Sequence, residues 1–148
     1  SPFGGIAVAI NGVRTNVEVY NGHIQGGTTL SGSAFTKAGF ADGVVVADAA
    51  TINVRIHDLA IARVGGRGIA VADASTASLV VDKCVVSICG AQGISAAMVR
   101  DCSVEKAGNT GIAGEIAVNC SAEVVNASGT NTSANSSACG KCECRDHS

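Results

Sequence analysis

Apolar and polar residues alternate along most of this chain with a period of two. The runs are short and rich in β-branched side chains, as at Val17 and Val19, Val54 and Ile56, and Cys102 and Val104. Successive side chains of a strand point to opposite faces, so the pattern predicts strands with one buried side. Glycines separate the runs and act as turn signals. No segment sustains a helical period across those glycines.

The runs also recur. A Gly followed by an apolar residue stands at Gly43-Val44, Gly68-Ile69, Gly93-Ile94 and Gly111-Ile112, in steps of 25, 25 and 18. Gly129-Thr130 continues the series in weaker form. Cys84, Cys102 and Cys120 repeat at a constant step of 18, each followed two positions later by Val86, Val104 or Ala122. Residues 16–24 match residues 53–61 at an offset of 37. Aligning Gly68 with Gly93 sets Leu59 over Cys84 and Ile61 over Val86, and leaves residues 72–78 as a loop between repeats.

A unit this short cannot bury its apolar side alone, but stacked on its neighbours it can. Parallel pairing of equivalent strands, about 4.8 Å apart, turns matching positions into interior columns. The expected columns are Leu59-Cys84-Cys102-Cys120, Ile61-Val86-Val104-Ala122 and Val44-Ile69-Ile94-Ile112-Thr130. Cys89 is expected on a further inward column with Val64, Ala107 and Val125. A leucine-rich repeat has a similar period but needs a dense leucine frame, and Leu occurs only at Leu30, Leu59 and Leu79.

The units Val99-Arg100-Asp101-Cys102-Ser103-Val104 and Gly108-Asn109-Thr110-Gly111-Ile112 resemble the coils of repeat proteins in the pectate-lyase-like superfamily. Residues 16–24 resemble a first full coil of such proteins, and the likeness covers roughly residues 4–130. It implies an all-β fold, a single-stranded right-handed parallel β-helix or solenoid of about six or seven short coils. The domain expected is residues 1–130, with a long loop near 25–42 held to the body by Phe35 and Phe40. Residues 131–148 are expected to form a polar tail carrying Cys139, Cys142 and Cys144.

Composition narrows the chemistry. Aromatic residues are 3% of the chain, so the core must be built from Val, Ile, Ala and Leu. The net charge of −2, with 10 Lys and Arg, supplies no basic face for nucleic acid. No run of 18 apolar residues exists, so no membrane insertion is expected. Ile6–Ile10 is too short for a signal peptide; an extracellular or periplasmic setting is expected from the resemblance alone.

The repeat alignment gathers a set of charged residues. Asp58, Lys83, Asp101 and Asn119 share one position, and His57, Asp82 and Arg100 share the position before it. Carboxylates on neighbouring coils would suit a general acid/base pair or Ca²⁺, which makes Asp58 and Asp101 candidate metal ligands. His57, Asp58, Asp82, Arg100 and Asp101 are the candidate catalytic residues. Lyases of the resembling superfamily use acidic Ca²⁺ ligands and an Arg base on such a sheet. The simpler reading is a solvated ladder of alternating charge, with Lys83 between the two Asp residues. The hydrolase motifs of the superfamily are lost here: Asn109-Thr110-Gly111, Gly22-His23-Ile24 and Arg55-Ile56-His57 lack the carboxylates that inverting hydrolysis needs. The epimerase Asp-Pro-His motif is missing as well, since the one proline is Pro2.

The seven cysteines divide into an interior ladder, where a thiol acts as a small apolar group, and the tail set. Cys139, Cys142 and Cys144 could bind Zn²⁺ or a softer metal, although zinc usually takes four ligands. The sequence therefore favours a non-catalytic β-helix module of a secreted or cell-surface protein, without a cofactor. Its alternatives are a lyase-like enzyme acting on acidic polysaccharide, with Ca²⁺, and a carbohydrate-binding module. Polysaccharide is the partner class in both alternatives.

Overall fold

The computed structural model describes residues 3–71, 79–125 and 140–146. The alternating, β-branched runs all form strands, as their fit to a pleated, half-buried surface demands. The chain runs through β1 (Ile6–Ile10), β2 (Thr15–Gln25), β3 (Thr29–Ser31), β4 (Ala34–Thr36) and β5 (Asp42–Val46). It continues through β6 (Ile52–Val64), β7 (Ile69–Val71), β8 (Leu79–Asp82), β9 (Val85–Cys89) and β10 (Gln92–Ser95). It closes with β11 (Met98–Arg100), β12 (Ser103–Ala107), β13 (Thr110–Ala113), β14 (Ile116–Val124) and β15 (Gly140–Asp146). No helix occurs among the described residues, and so none long and apolar enough to cross a membrane.

Two parallel sheets carry the fold. One runs β1-β5-β7-β10-β13. In the other, the long strands β2 and β6 lead through β8 and β11 on one side, and β9 and β12 on the other, to β14 and then β15. From β5 to β13 in the first sheet, and from β6 through β8, β9, β11 and β12 to the start of β14 in the second, strands pair at the offsets of 25 and 18 that the glycines and cysteines announce. β2 lies on β6 at the offset of 37, with Val17 on Val54 and Ile24 on Ile61.

The three interior columns form as expected. Val44, Ile69, Ile94 and Ile112 are stacked partners, as are Ile61, Val86, Val104 and Ala122. Leu59, Cys84, Cys102 and Cys120 sit one residue before registered pairs, and all four are buried. Thr130, the expected last member of the first column, and the loop at 72–78 lie outside the described residues. The Cys89 column differs at its end. Val64, Cys89 and Ala107 stack, but a bulge after Val104 brings Val124 rather than Val125 onto Ala107. A bulge adds a residue to one strand and so shifts its register.

Close approach explains one glycine column. A Cβ at Gly68 would lie 2.5 Å from the Gly93 carbonyl oxygen and 2.6 Å from Val86 Cγ1. No side chain fits between the repeats at that corner. At other corners the backbone enters the left-handed region. Asn21, Asp58, Lys83, Asp101 and Asn119 have φ of 53°, 52°, 50°, 49° and 52°. Asn16 and Asn53 repeat this at 59° and 56°, and Arg63, Ile88 and Lys106 at 58°, 54° and 60°. Asn and Asp tolerate this region best among residues with a side chain, which is why the first column is rich in them.

Residues 25–42 fold back as expected but by different contacts. β3 and β4 form an antiparallel hairpin. Phe35 packs over Gly108, where a Cβ would lie 3.1 Å from its ring. Phe40 is exposed, and so is Phe3, whose ring edge lies against Gly65. At the other end, part of the expected tail is a strand. β15 pairs in parallel with β14, Cys120 opposite Cys142 and Ala122 opposite Cys144. The cysteine spacing of the tail thus continues the register of the sheet. Residues 126–139, including Cys139, lie outside the described residues.

Candidate functional site

Outward positions of β2, β6, β8 and β11 converge on one charged surface. Tyr20, His57, Asp82 and Arg100 are successive partners across these four strands. Glu18 and Arg55 are partners two positions earlier, on β2 and β6. The corner residues Asp58, Lys83 and Asp101 follow His57, Asp82 and Arg100 directly in sequence. The five candidate catalytic residues therefore do share a face.

His57 is enclosed on three sides. Its Nε2 lies 2.5 Å from Glu18 Oε1 and its Nδ1 lies 2.6 Å from Asp58 Oδ2. The Tyr20 ring stacks on it, with centroids 5.2 Å apart and planes 3° from parallel. Its side chain keeps 12% of its exposure. The hydrogen bonds to Asp58, and then to Glu18, hold the imidazole pKa above its ordinary value. The bond to His57 in turn holds the Asp58 carboxyl below its own. Each ring nitrogen therefore faces a carboxylate oxygen at hydrogen-bond distance, which favours the protonated ring.

Asp82 has a different environment. Its side chain is 6% exposed, and its Oδ2 receives Arg55 Nη2 at 3.1 Å and Arg100 Nη2 at 3.4 Å. A carboxylate so buried needs such partners. Asp101 accepts a hydrogen bond from Asn119 Nδ2 at 2.6 Å. Asn53 Nδ2 donates to Asn16 Oδ1 in the same way at the other left-handed column. Away from this face, Asp42 and Arg67 form a second network. Burial would raise the Asp42 carboxyl, but hydrogen bonds from the Arg67 side chain and backbone outweigh it, and the pKa is lowered.

These contacts decide what the face can do. A general base needs a nitrogen or oxygen free to accept a proton. Both His57 nitrogens already face carboxylates. Arg100 is tied to Asp82 and, as a guanidinium, resists deprotonation. A Ca²⁺ ion on Asp58 and Asp101 would displace His57 from one and Asn119 from the other, with Lys83 at the corner between them. Among the described residues no three His, Cys, Asp or Glu side chains are arranged to hold a metal ion. Cys142 and Cys144 stand on alternate positions of β15, and Cys139 lies outside the described residues.

The interior thiols are free and structural. Cys84, Cys102 and Cys120 lie 3.3, 3.0 and 3.2 Å from the carbonyl oxygens of Asp82, Arg100 and Val118, two residues earlier in each repeat. The neighbouring Cys84 thiol and burial hold the Cys102 pKa high, and burial pushes Cys89 up to about 12. The hydrogen bond with Cys102 lowers the Cys84 pKa in turn, and burial keeps all of these thiols from solvent.

Glu18, Arg55 and Tyr20 are the members of the face that the repeat alignment does not assign to it. The offset of 37 places Tyr20 over His57, and that is the signal the sequence holds. The diagonal from His57 to Glu18 needs side-chain reach as well as register, which a repeat alignment does not contain. Comparison with protein-family models, curated proteins and solved structures finds no match to this chain.

Proposed function

We propose that the chain is a single right-handed parallel β-helix of about six or seven short coils, of the pectate-lyase-like kind, serving as a non-catalytic module. Consecutive parallel strands joined by crossovers are right-handed in ~98% of cases, which supports the hand of the solenoid. The successive parallel pairings at offsets of 37, 25 and 18 support a continuous stack. A secreted or cell-surface setting, with polysaccharide as the partner class to test, comes with the resemblance.

The double engagement of His57 by Glu18 and Asp58 carries the non-catalytic reading. Lyase chemistry needs a proton acceptor, neutralisation of a uronate carboxylate and a groove for several sugars. On this face both His57 nitrogens are occupied by carboxylates and the two guanidiniums are spent on Asp82. The test is ultraviolet detection of unsaturated product from pectate, alginate and hyaluronan with Ca²⁺ present. No product above the blank is expected. Product that is lost in Asp101→Ala would establish the lyase alternative instead. Retarded migration of the protein in polysaccharide-containing gels, abolished by Tyr20→Ala, would favour a carbohydrate-binding module.

A further inference from the structure

The outward face that carries the His57 clasp changes character along the sheet. The clasp occupies the β2 and β6 part. Beyond it, across β8, β11 and β14, Val80, Met98 and Ile116 are successive outward partners, and Val118 partners Arg100 in the row beside them. Val80 and Met98 are half-buried, and Ile116 and Val118 are 37% and 38% exposed. Single apolar residues on a surface need no explanation, but adjoining ones mark an interaction site. This patch lies on the flank of the stack.

Two cations border it. Arg55 is the partner of Val80, and Arg100 stands two residues beyond Met98 on the same strand. The buried Asp82 holds both through one oxygen, Oδ2, which accepts from Nη2 of each. A guanidinium has five N–H donors. Among the described residues neither Arg side chain makes a further hydrogen bond, and the two stay 51% and 45% exposed. Asp82 thus positions the pair and leaves most of their donors facing solvent. Its one negative charge does not cancel the two positive ones, and the exposed Lys83 follows it in sequence. The patch therefore joins an aliphatic floor to a fixed positive rim, which is complementary to a carboxylate beside an apolar group.

The spacing narrows the ligand further. Met98 and Arg100 are alternate residues of β11, so they share a face about 6.6 Å apart along the strand. An extended peptide has the same period. Laid along β11, it sets one apolar side chain over Met98 and Val80 and the carboxylate two residues away at Arg100. A sugar fits less well, because the floor is aliphatic and the Tyr20 ring is already stacked on His57. We infer that this flank docks an extended acidic segment of a partner protein, with an apolar residue two positions from an Asp or Glu. The inference rests on the non-catalytic reading and names the kind of partner such a module takes.

Met98 is the one methionine of the chain, so protein labelled with ¹³C at the methionine methyl reports on the patch through a single NMR signal. The probe is the capped peptide acetyl-Ser-Leu-Ser-Asp-Ser-amide, titrated into the full chain. The signal is expected to shift and saturate. Replacing the peptide's Asp with Asn, or its Leu with Ser, should raise the half-saturating concentration about fivefold or more. Arg100→Gln should do the same for the Asp peptide and have little effect on the Asn peptide. Far-UV circular dichroism matching the native spectrum verifies that the variant is folded, and the peptide substitutions test the docking on native protein alone. A signal that does not move, or that moves equally with the Asp and Asn peptides, would overturn the inference. So would a stronger response to oligogalacturonate than to the peptide, which would make the patch a polysaccharide site. Unsaturated product in the lyase assay would overturn the non-catalytic reading and this inference together, whereas a silent methyl signal without product overturns the docking alone.

Discussion

Tyr20 lies flat against the His57 imidazole, ring planes 3° from parallel, although the two are far apart in sequence. The contact follows from register. Tyr20 and His57 are partners across β2 and β6, and Glu18, two residues before Tyr20, reaches the far nitrogen of the same ring. The first long strand is thus fastened to the second by a charged clasp on the outside and by Val17, Val19 and Ile24 on the inside.

The clasp makes stability depend on pH. Folding brings two carboxylates to His57 and raises its pKa, so its contribution is fully present below the ordinary value of 6.5 and is lost as pH rises through the raised folded value. Asp58 behaves in the opposite sense. Its contribution is present above the ordinary 3.8 and is lost as pH falls through the lowered folded value. Urea midpoints of native protein and His57→Asn, measured from roughly pH 5 to pH 9, should therefore differ most on the acid side of that range and converge on the alkaline side. A difference that stays constant with pH would show that His57 is not the titrating partner.

Gly68→Ala tests the close approach between repeats. The added methyl would sit 2.5 Å from the Gly93 carbonyl oxygen, which is backbone and cannot rotate away. A loss of about 3 kcal/mol in chemical denaturation is expected. A loss under about 0.5 kcal/mol would mean that the repeats can separate at this corner without penalty.

Lys83→Asn should stabilise the protein. Lys83 holds φ of 50° in a column otherwise occupied by Asn21, Asp58, Asp101 and Asn119. The left-handed region costs a residue such as Lys about 1–2 kcal/mol and Asn less, so a gain of about 0.5–1 kcal/mol is expected. A destabilised variant would mean that the charge of Lys83 beside Asp58 outweighs its backbone strain.

Cys102→Ser should destabilise the fold by about 1–3 kcal/mol, because a hydroxyl replaces a small apolar group in a dry column. Cys102 is 3% exposed. In native protein the thiols of Cys84, Cys89, Cys102 and Cys120 should react with a thiol reagent only as fast as the chain opens. Immediate labelling of Cys102 would show that the column is open to solvent.

The stack is readable from the sequence wherever packing repeats a residue. The constant spacing of the cysteines and the Gly-apolar pairs report positions that meet the same neighbours in every repeat. Backbone conformation is not readable in that way. Asp58, Lys83, Asp101 and Asn119 align as a charge pattern, but the structure makes them a column of left-handed corners, and φ is not written in side-chain charge. The aromatic anchor of the 25–42 loop is half legible. Phe35 packs over Gly108 as expected, but Phe40 is exposed, because an aromatic residue in an irregular loop has no period to fix which way it turns. The tail conceals its strand for a related reason. Its Asn- and Ser-rich approach hides a segment whose Cys142 and Cys144 extend columns begun far upstream.

The central claim is that the repeats stack in register, one residue type above its equivalent. Through-space NMR contacts among cysteine side chains in protein labelled with ¹³C at cysteine test this most directly. At a spacing of about 4.8 Å per step, Cys84 should contact Cys102, Cys102 should contact Cys120, and Cys84 should not contact Cys120. A Cys84–Cys120 contact, or the lack of both neighbouring contacts in folded protein, would contradict the stack.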